Sequence, residues 1–255
     1  MPISSVRRPI TLKPLNEGQV NDLTSELMAV ASGFGLELNS DVASTCVQHL
    51  LYVQQVNEYM NLTRITDVHE ALILHVIDSL ALSRDLPIVP ERFLDMGTGA
   101  GFPGIPFHIL SGCPGVLLDS VGKKVDAVNA FIKALSLDSI SGVHARLEEF
   151  ALKEGGQFDI VFARAVGQLP TLIEYGAPFL EDDGYLVLAK ANPTDAEFSS
   201  GSHVAEICGL EMVDNNEFEL PLNLGHRSVL LYQKVCHPQI KLPRATGMAK
   251  RSPLG

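Results

Sequence analysis

The sequence from Phe93 to Gly104 reads Phe-Leu-Asp-Met-Gly-Thr-Gly-Ala-Gly-Phe-Pro-Gly, an apolar run that ends in a crowd of glycines. Glycine adopts positive φ and lets backbone come close to a ligand, and a helix that starts after such a turn offers free N–H groups. Two spacings overlap. Gly97, Gly99 and Gly101 give the GxGxG of S-adenosylmethionine sites, whereas Gly99, Gly101 and Gly104 give the GxGxxG of dinucleotide sites. Asp95 tilts the balance, because a carboxylate at the strand end suits the cationic amine and sulfonium of a methionine ligand and repels a pyrophosphate. Asp119 lies 24 residues after Asp95, at the end of the next apolar run, where it can bind ribose hydroxyls of either ligand.

Other chemistries find less support. The four cysteines, 46, 113, 208 and 236, form no CxxC pair, and the eight histidines include no HExxH. No metal is expected, and the thiols read as free and reduced. His75 and Asp78 share a helix face at i and i+3, a spacing that fits an acid/base pair but equally an oriented surface or packing pair, which we favour. Arg164 follows the apolar run Phe158 to Ala163, so it should emerge at the carboxyl edge of a sheet, where ligands bind in open α/β folds and an arginine can pair with a carboxylate or a phosphate.

The elements that must position these residues follow from hydrophobic period. Leu23, Leu27, Met28 and Ala31 recur at helical spacing until Gly33 and Gly35. A second helix is expected over Val42 to Met60 behind the capping residues Asn39-Ser40-Asp41, and a third behind Asp67 and Glu70, ending near Pro87. From residue 93 short apolar runs alternate with helical stretches. Strands are expected at Phe93 to Gly97, Val116 to Asp119, Gly142 to Arg146, Asp159 to Ala163, Tyr185 to Lys190, Leu210 to Leu220 and Arg227 to Val235. This is an α/β chain with a Rossmann-like, mostly parallel seven-stranded sheet and one antiparallel strand near its edge. We divide it into an N-terminal helical extension (1–90), a domain that carries the S-adenosylmethionine site (91–236) and a basic C-terminal tail (237–255).

With 255 residues, 46% hydrophobic and 19% charged, the chain can bury a large core. Its apolar runs are too short to span a membrane, and MPISSVRRPITLKP has no apolar core for export, so a soluble cytoplasmic monomer is expected. The net charge of -11 argues against a polyanion partner. Its distribution softens that: eleven acids and only Lys190 as a base fall between Glu174 and Glu219, an expected outward face. Arg7, Arg8 and Lys13 open the chain, and Lys241, Arg244, Lys250 and Arg251 close it without an acid. The tail is expected to be partly mobile and to face RNA.

Five further segments occur in order: Asn61-Leu62-Thr63-Arg64-Ile65-Thr66, His75-Val76-Ile77-Asp78-Ser79-Leu80, Asp95 through Pro106, Leu118-Asp119-Ser120 with Lys123-Lys124, and Ala163-Arg164-Ala165-Val166. With the tail Pro243-Arg244-Ala245-Thr246-Gly247, the chain resembles the bacterial 16S rRNA methyltransferase G family, also called glucose-inhibited division protein B. The resemblance implies a class I methyltransferase fold and transfer of a methyl group from S-adenosylmethionine to N7 of one guanine in 16S rRNA or the small-subunit particle. It assigns cofactor contacts to Gly97, Phe102, Leu147, Glu148 and Arg164. Asn61, Arg64, His75, Lys123, Lys124, Arg146, Lys190 and Arg244 are the RNA candidates, chemically suited to phosphates and guanine edges. Guanine N7 already carries a lone pair, so no catalytic base is expected. The alternatives are a methyltransferase of the same fold acting on a small molecule or protein, and a nucleotide-binding regulator without catalysis.

Overall fold

The computed structural model describes residues 9–84, 86–164 and 167–255. Arg7 and Arg8 of the basic N-terminus, and Ala165 and Val166 of the last family-like segment, lie outside the described residues. Three helical stretches open the chain. In α1 (Glu17–Gly33) the Asn16 side chain accepts from the Gln19 amide, and in α2 (Ser40–Met60) Asn39 accepts from Val42, so polar caps satisfy the first free donors of each helix. Asp67 caps α3 (Val68–Ala71) through the amides of His69 and Glu70. That helix then widens into a π segment (Leu72–Ile77) before α4 (Asp78–Ala81). Periodicity anticipated one regular helix there; the π turn falls where Leu74 and His75 meet Arg164.

The sheet has seven strands: β1 (Phe93–Met96), β2 (Gly115–Asp119), β3 (Ile140–His144), β4 (Phe158–Ala163), β5 (Leu180–Lys190), β6 (Leu210–Glu219) and β7 (His226–Lys234). Their order is β3-β2-β1-β4-β5-β7-β6, parallel from β3 to β5, with β7 antiparallel to both its neighbours. β1, β2 and β4 are buried along their whole length, as central parallel strands covered on both faces must be. Two strands differ from expectation by more than one residue. β3 spans Ile140–His144 rather than Gly142 to Arg146, since Ala145 and Arg146 already turn toward α7 (Leu147–Glu154). β5 starts at Leu180, because the exposed acids Glu181 to Asp183 are carried within it.

Each sheet face has its own core. Leu27, Leu50 and Val76 of the N-terminal helices share one cluster with Phe93, Ile160 and Val187, joined by α5 (Gly104–Ser111) and α6 (Gly122–Ala134). The opposite face packs α7, α8 (Leu169–Gly176) and α9 (Asp195–Ile207) over Leu94, Val161 and Leu188. The tail departs from the loose, outward segment that its charge suggested. Leu242 and Leu254 pack on this second core, and Ala249 of α10 (Met248–Arg251) is buried. Glu174 also departs from the outward acidic face, being only 4% exposed.

Candidate functional site: two clefts at the carboxyl edge of the sheet

Strand order reverses between β1 and β4, the place where open α/β sheets bind ligands beyond their carboxyl ends. The glycine turn sits there. The amides of Gly97 and Thr98 donate to the Leu118 carbonyl at 2.8 and 3.0 Å, tying the turn to the end of β2. Asp119 extends the tie: Oδ2 accepts from Gly99 N at 3.1 Å and Oδ1 from Val121 N at 2.8 Å. Asp95 Oδ2 accepts from Gly104 N at 2.9 Å and so holds the start of α5.

The glycines divide by role. A Cβ on Gly97 (φ +80°) would meet nothing within 4 Å, and one on Gly99 (φ +62°) only the Gly97 carbonyl, so both present bare backbone to open space. Gly101 does not. Its Cβ would strike Ile105 Cδ1 at 2.6 Å and His49 Nε2 at 3.0 Å, so the side on which a Cβ would stand is packed between α2 and α5. The Phe102 ring packs beside it. That ring is 4% exposed and lies between His49, with centroids 4.5 Å apart, and His75, stacked at 4.7 Å.

Two buried polar atoms at the turn, Asp95 Oδ1 and Thr98 Oγ1, have no hydrogen-bond partner among the described residues beyond the contact between these two side chains. Burial raises the Asp95 carboxyl to about 6, against the opposing influence of Thr98, the Gly104 amide and the Arg164 charge. Beside the turn, Gly97, Asp119, Leu147, Glu148 and Tyr175 line a cleft of about 150 Å³, and Arg146 stands at its border. Glu148 is 9% exposed, and its Oε1 accepts from the amide of Gly247 in the tail at 2.6 Å.

A second cleft, about 550 Å³, opens over the ends of β4 and β5, where His75, Asp78, Arg164, Lys190, Asn192 and Arg227 line it. Its cations are held rather than free. Arg164 donates through Nη1 to the Leu74 carbonyl at 2.7 Å and to Asp78 Oδ2 at 3.1 Å, while Arg227 Nε donates to Asp78 Oδ1 at 2.8 Å. Lys190 Nζ donates to the Gly167 carbonyl at 2.6 Å and meets Glu197 at 2.7 Å. Arg164 Nη2 donates to His75 Nδ1 at 3.2 Å, which leaves the proton of the neutral ring on Nε2, donated to Thr63 Oγ1 at 2.8 Å. Burial and the Arg164 charge lower His75 to about 3. His75 and Asp78 are therefore both buried, a packing pair whose polar atoms serve the arginines. The Arg164 guanidinium of this cleft lies 5.5 Å from the ring of Phe102, which belongs to the same glycine turn as Gly97 of the first.

The RNA candidates scatter. His75 and Lys190 meet at the second cleft and Arg146 stands at the first. Asn61 caps α2 in a left-handed conformation (φ 49°), Arg64 follows it, and Lys123 and Lys124 open α6. Those four line neither cleft. Arg244 is the clearest departure: Nε and Nη2 donate to Glu174 at 2.7 and 2.6 Å, and Nη2 also to the Ser252 carbonyl at 2.9 Å, so its donors serve the protein. Sequence reasoning missed Arg227, His49, Tyr175 and Gly247. Only Gly247, inside a family-like segment, carried any signal. Among the described residues no group of three or more His, Cys, Asp or Glu could hold a metal ion, and no helix is long and apolar enough to cross a membrane.

Comparison with known proteins shows the fold and the family. The solved structure of TYW2 from M. jannaschii in complex with AdoMet shares the fold, with a TM-score of 0.51 and 16% identity over 62% of this chain and 74% of that one. So does ribosomal protein L11 methylase from Lactobacillus delbrueckii subsp. bulgaricus, at TM-score 0.50 and 16% identity, covering 63% and 78% of the two chains. Ribosomal RNA small subunit methyltransferase G of Acetivibrio thermocellus is 37% identical over 234 residues, 89% of this chain and 95% of its own length. Its counterpart in Desulfitobacterium hafniense is 39% identical over 204 residues, 78% and 83% of the two. Residues 43–223 match the family described as rRNA small subunit methyltransferase G. The chain belongs to that family.

Proposed function

We propose that the smaller cleft holds S-adenosylmethionine and that the larger receives a guanine of 16S rRNA, whose N7 takes the methyl group. The residues present fit the donor. Bare backbone at Gly97 and Gly99 permits close approach, and Asp95 keeps an oxygen at the turn with no partner but the Thr98 side chain. Asp119 retains lone pairs for ribose hydroxyls beside the two amides it already holds. Leu147 supplies an apolar wall for adenine and Glu148 a carboxylate at the same cleft. When bound, S-adenosylmethionine supplies an electrophilic methyl on a cationic sulfur.

The chain's own residues then orient and stabilise. Asp78 fixes Arg164 and Arg227, and Glu197 fixes Lys190, so a half-buried set of cations awaits phosphate or base edges with little freedom left to lose. His75 has its Nδ1 lone pair engaged by Arg164 and serves as scaffold, not base. No proton has to leave guanine N7 before attack, so catalysis rests on positioning and on a site that tolerates the charge passed to the purine. The observation that carries this reading is that the glycine turn packs on the second cleft: Phe102 stacks on His75 and lies 5.5 Å from the Arg164 guanidinium.

The protein acts as a cytoplasmic monomer on rRNA or the small-subunit particle. Methyl transfer to small-subunit particles from cells lacking the activity, with the modified nucleotide mapped by mass, tests the reading. Methylation at a single guanine N7 is expected; turnover of a small metabolite without rRNA methylation would overturn it.

A further inference from the structure

The tail takes part in the smaller cleft. Gly247 and Lys250 line it together with Gly97, Asp119 and Glu148. Gly247 adopts φ +78°, a conformation that favours glycine, and its amide donates to Glu148 Oε1 at 2.6 Å. The tail is anchored on both sides of that contact. Before it, Arg244 forks onto Glu174, with side chains 18% and 4% exposed; after it, Ala249 is buried and Leu254 packs on the core of α8 and α9. The ends of β1, β2 and β3, Tyr175 of α8, and Gly247 and Lys250 of the tail therefore line one space. That space is about 150 Å³, whereas a pocket for a drug-sized ligand spans about 300 Å³ or more. Only part of a donor fits beneath the tail, and Asp119 and Glu148 mark it as the ribose and base end.

We propose that the C-terminal segment is a wall of the donor site: Gly247 and Lys250 close over the adenosine half, with the Gly247 amide holding the Glu148 carboxylate in place. Donor binding and tail docking then stabilise one another. This rests on the donor reading given above and assigns the tail a task that its basic composition does not suggest.

Calorimetry with S-adenosylhomocysteine tests it on three proteins: the full chain, a truncation after Leu242, and the double variant Glu174→Ala with Arg244→Ala, which undocks the tail without stranding a buried charge. Both altered proteins, checked for folding by circular dichroism, should bind at least about tenfold more weakly, a loss of about 1.4 kcal/mol. Hydrogen exchange on the full chain needs no variant, and amides of residues 244–251 should exchange more slowly with the ligand bound. Affinity unchanged in either folded variant, or faster exchange of the tail on binding, overturns the proposal. Failure of the full chain to bind at all would instead overturn the donor reading itself.

Discussion

Arg244 and Glu174, seventy positions apart, meet through two parallel hydrogen bonds of 2.7 and 2.6 Å. The carboxylate side is 4% exposed and has this guanidinium as its charge partner, which also raises the arginine further above its usual range. Arg244→Ala leaves that carboxylate buried and unpaired, and the expected loss is about 3–5 kcal/mol. Urea unfolding measures it. Adding Glu174→Ala should recover part of the loss, because no lone charge then remains in the core of α8.

Asp78 plays the same part for the second cleft with two partners at once, Arg164 and Arg227. Asp78→Asn keeps the shape and removes the charge, so both arginines lose their fixed position. Truncating one partner of a buried charge pair costs about 2–5 kcal/mol, so rRNA methylation should fall by about tenfold or more. Donor affinity, read by calorimetry, should change little, because Asp78 does not line the smaller cleft. An equal loss of both would mean that the two clefts are not separable.

Gly97 and Gly104 separate ligand approach from packing. A Cβ at Gly97 has room but sits at φ +80°, a backbone strain of about 1–2 kcal/mol, and projects into the space assigned to the donor. Gly97→Ala should fold and lose donor affinity. A Cβ at Gly104 collides with Leu117 and with the Asp95 side chain, because α5 lies directly on β1 and β2 there. Overpacking of that kind costs about 1–3 kcal/mol, so Gly104→Ala should lower the unfolding midpoint more. Thermal unfolding with and without S-adenosylhomocysteine distinguishes the two.

Sequence alone revealed the sheet well, because buried parallel strands such as Phe93 to Met96 and Phe158 to Ala163 are continuous apolar runs. The glycine turn was equally visible, and Asp95 and Asp119 stand at the strand ends assigned to them. What escaped depends on contacts between distant segments. Nothing near Arg227 shows that Asp78, 149 positions earlier, will take its Nε, and nothing near Arg244 shows that Glu174 is buried. Charge read along the chain made the tail a surface arm; charge read in space makes its first arginine an anchor. The packing of Gly101 and Phe102 on His49 was hidden for a related reason, since a motif gives spacing but not which side of the turn faces α2. The π segment had no local signature, as Leu72 to Ile77 is an apolar run that fits any buried helix.

Acid sensitivity should follow from three buried groups around Phe102. Burial lowers His49 to about 3, and burial with the facing Arg164 lowers His75 to about 3, from 6.5 for each when unfolded. The unfolded chain therefore takes up two protons that the folded chain refuses. The stability gained by keeping these rings neutral is present above 6.5 and is lost as pH falls toward 3. Asp95, raised by burial from 3.8 to about 6, acts in the opposite sense: its contribution is present below 3.8 and is lost as pH rises through about 6. Between about 6 and 4 the balance is one net proton against the folded state, a slope of about 1.4 kcal/mol per pH unit. Urea unfolding at pH 6, 5 and 4 should show stability falling at about that rate. His75→Gln, which cannot take up a proton, should flatten the slope, and a slope that stays unchanged in this variant would remove His75 from the account.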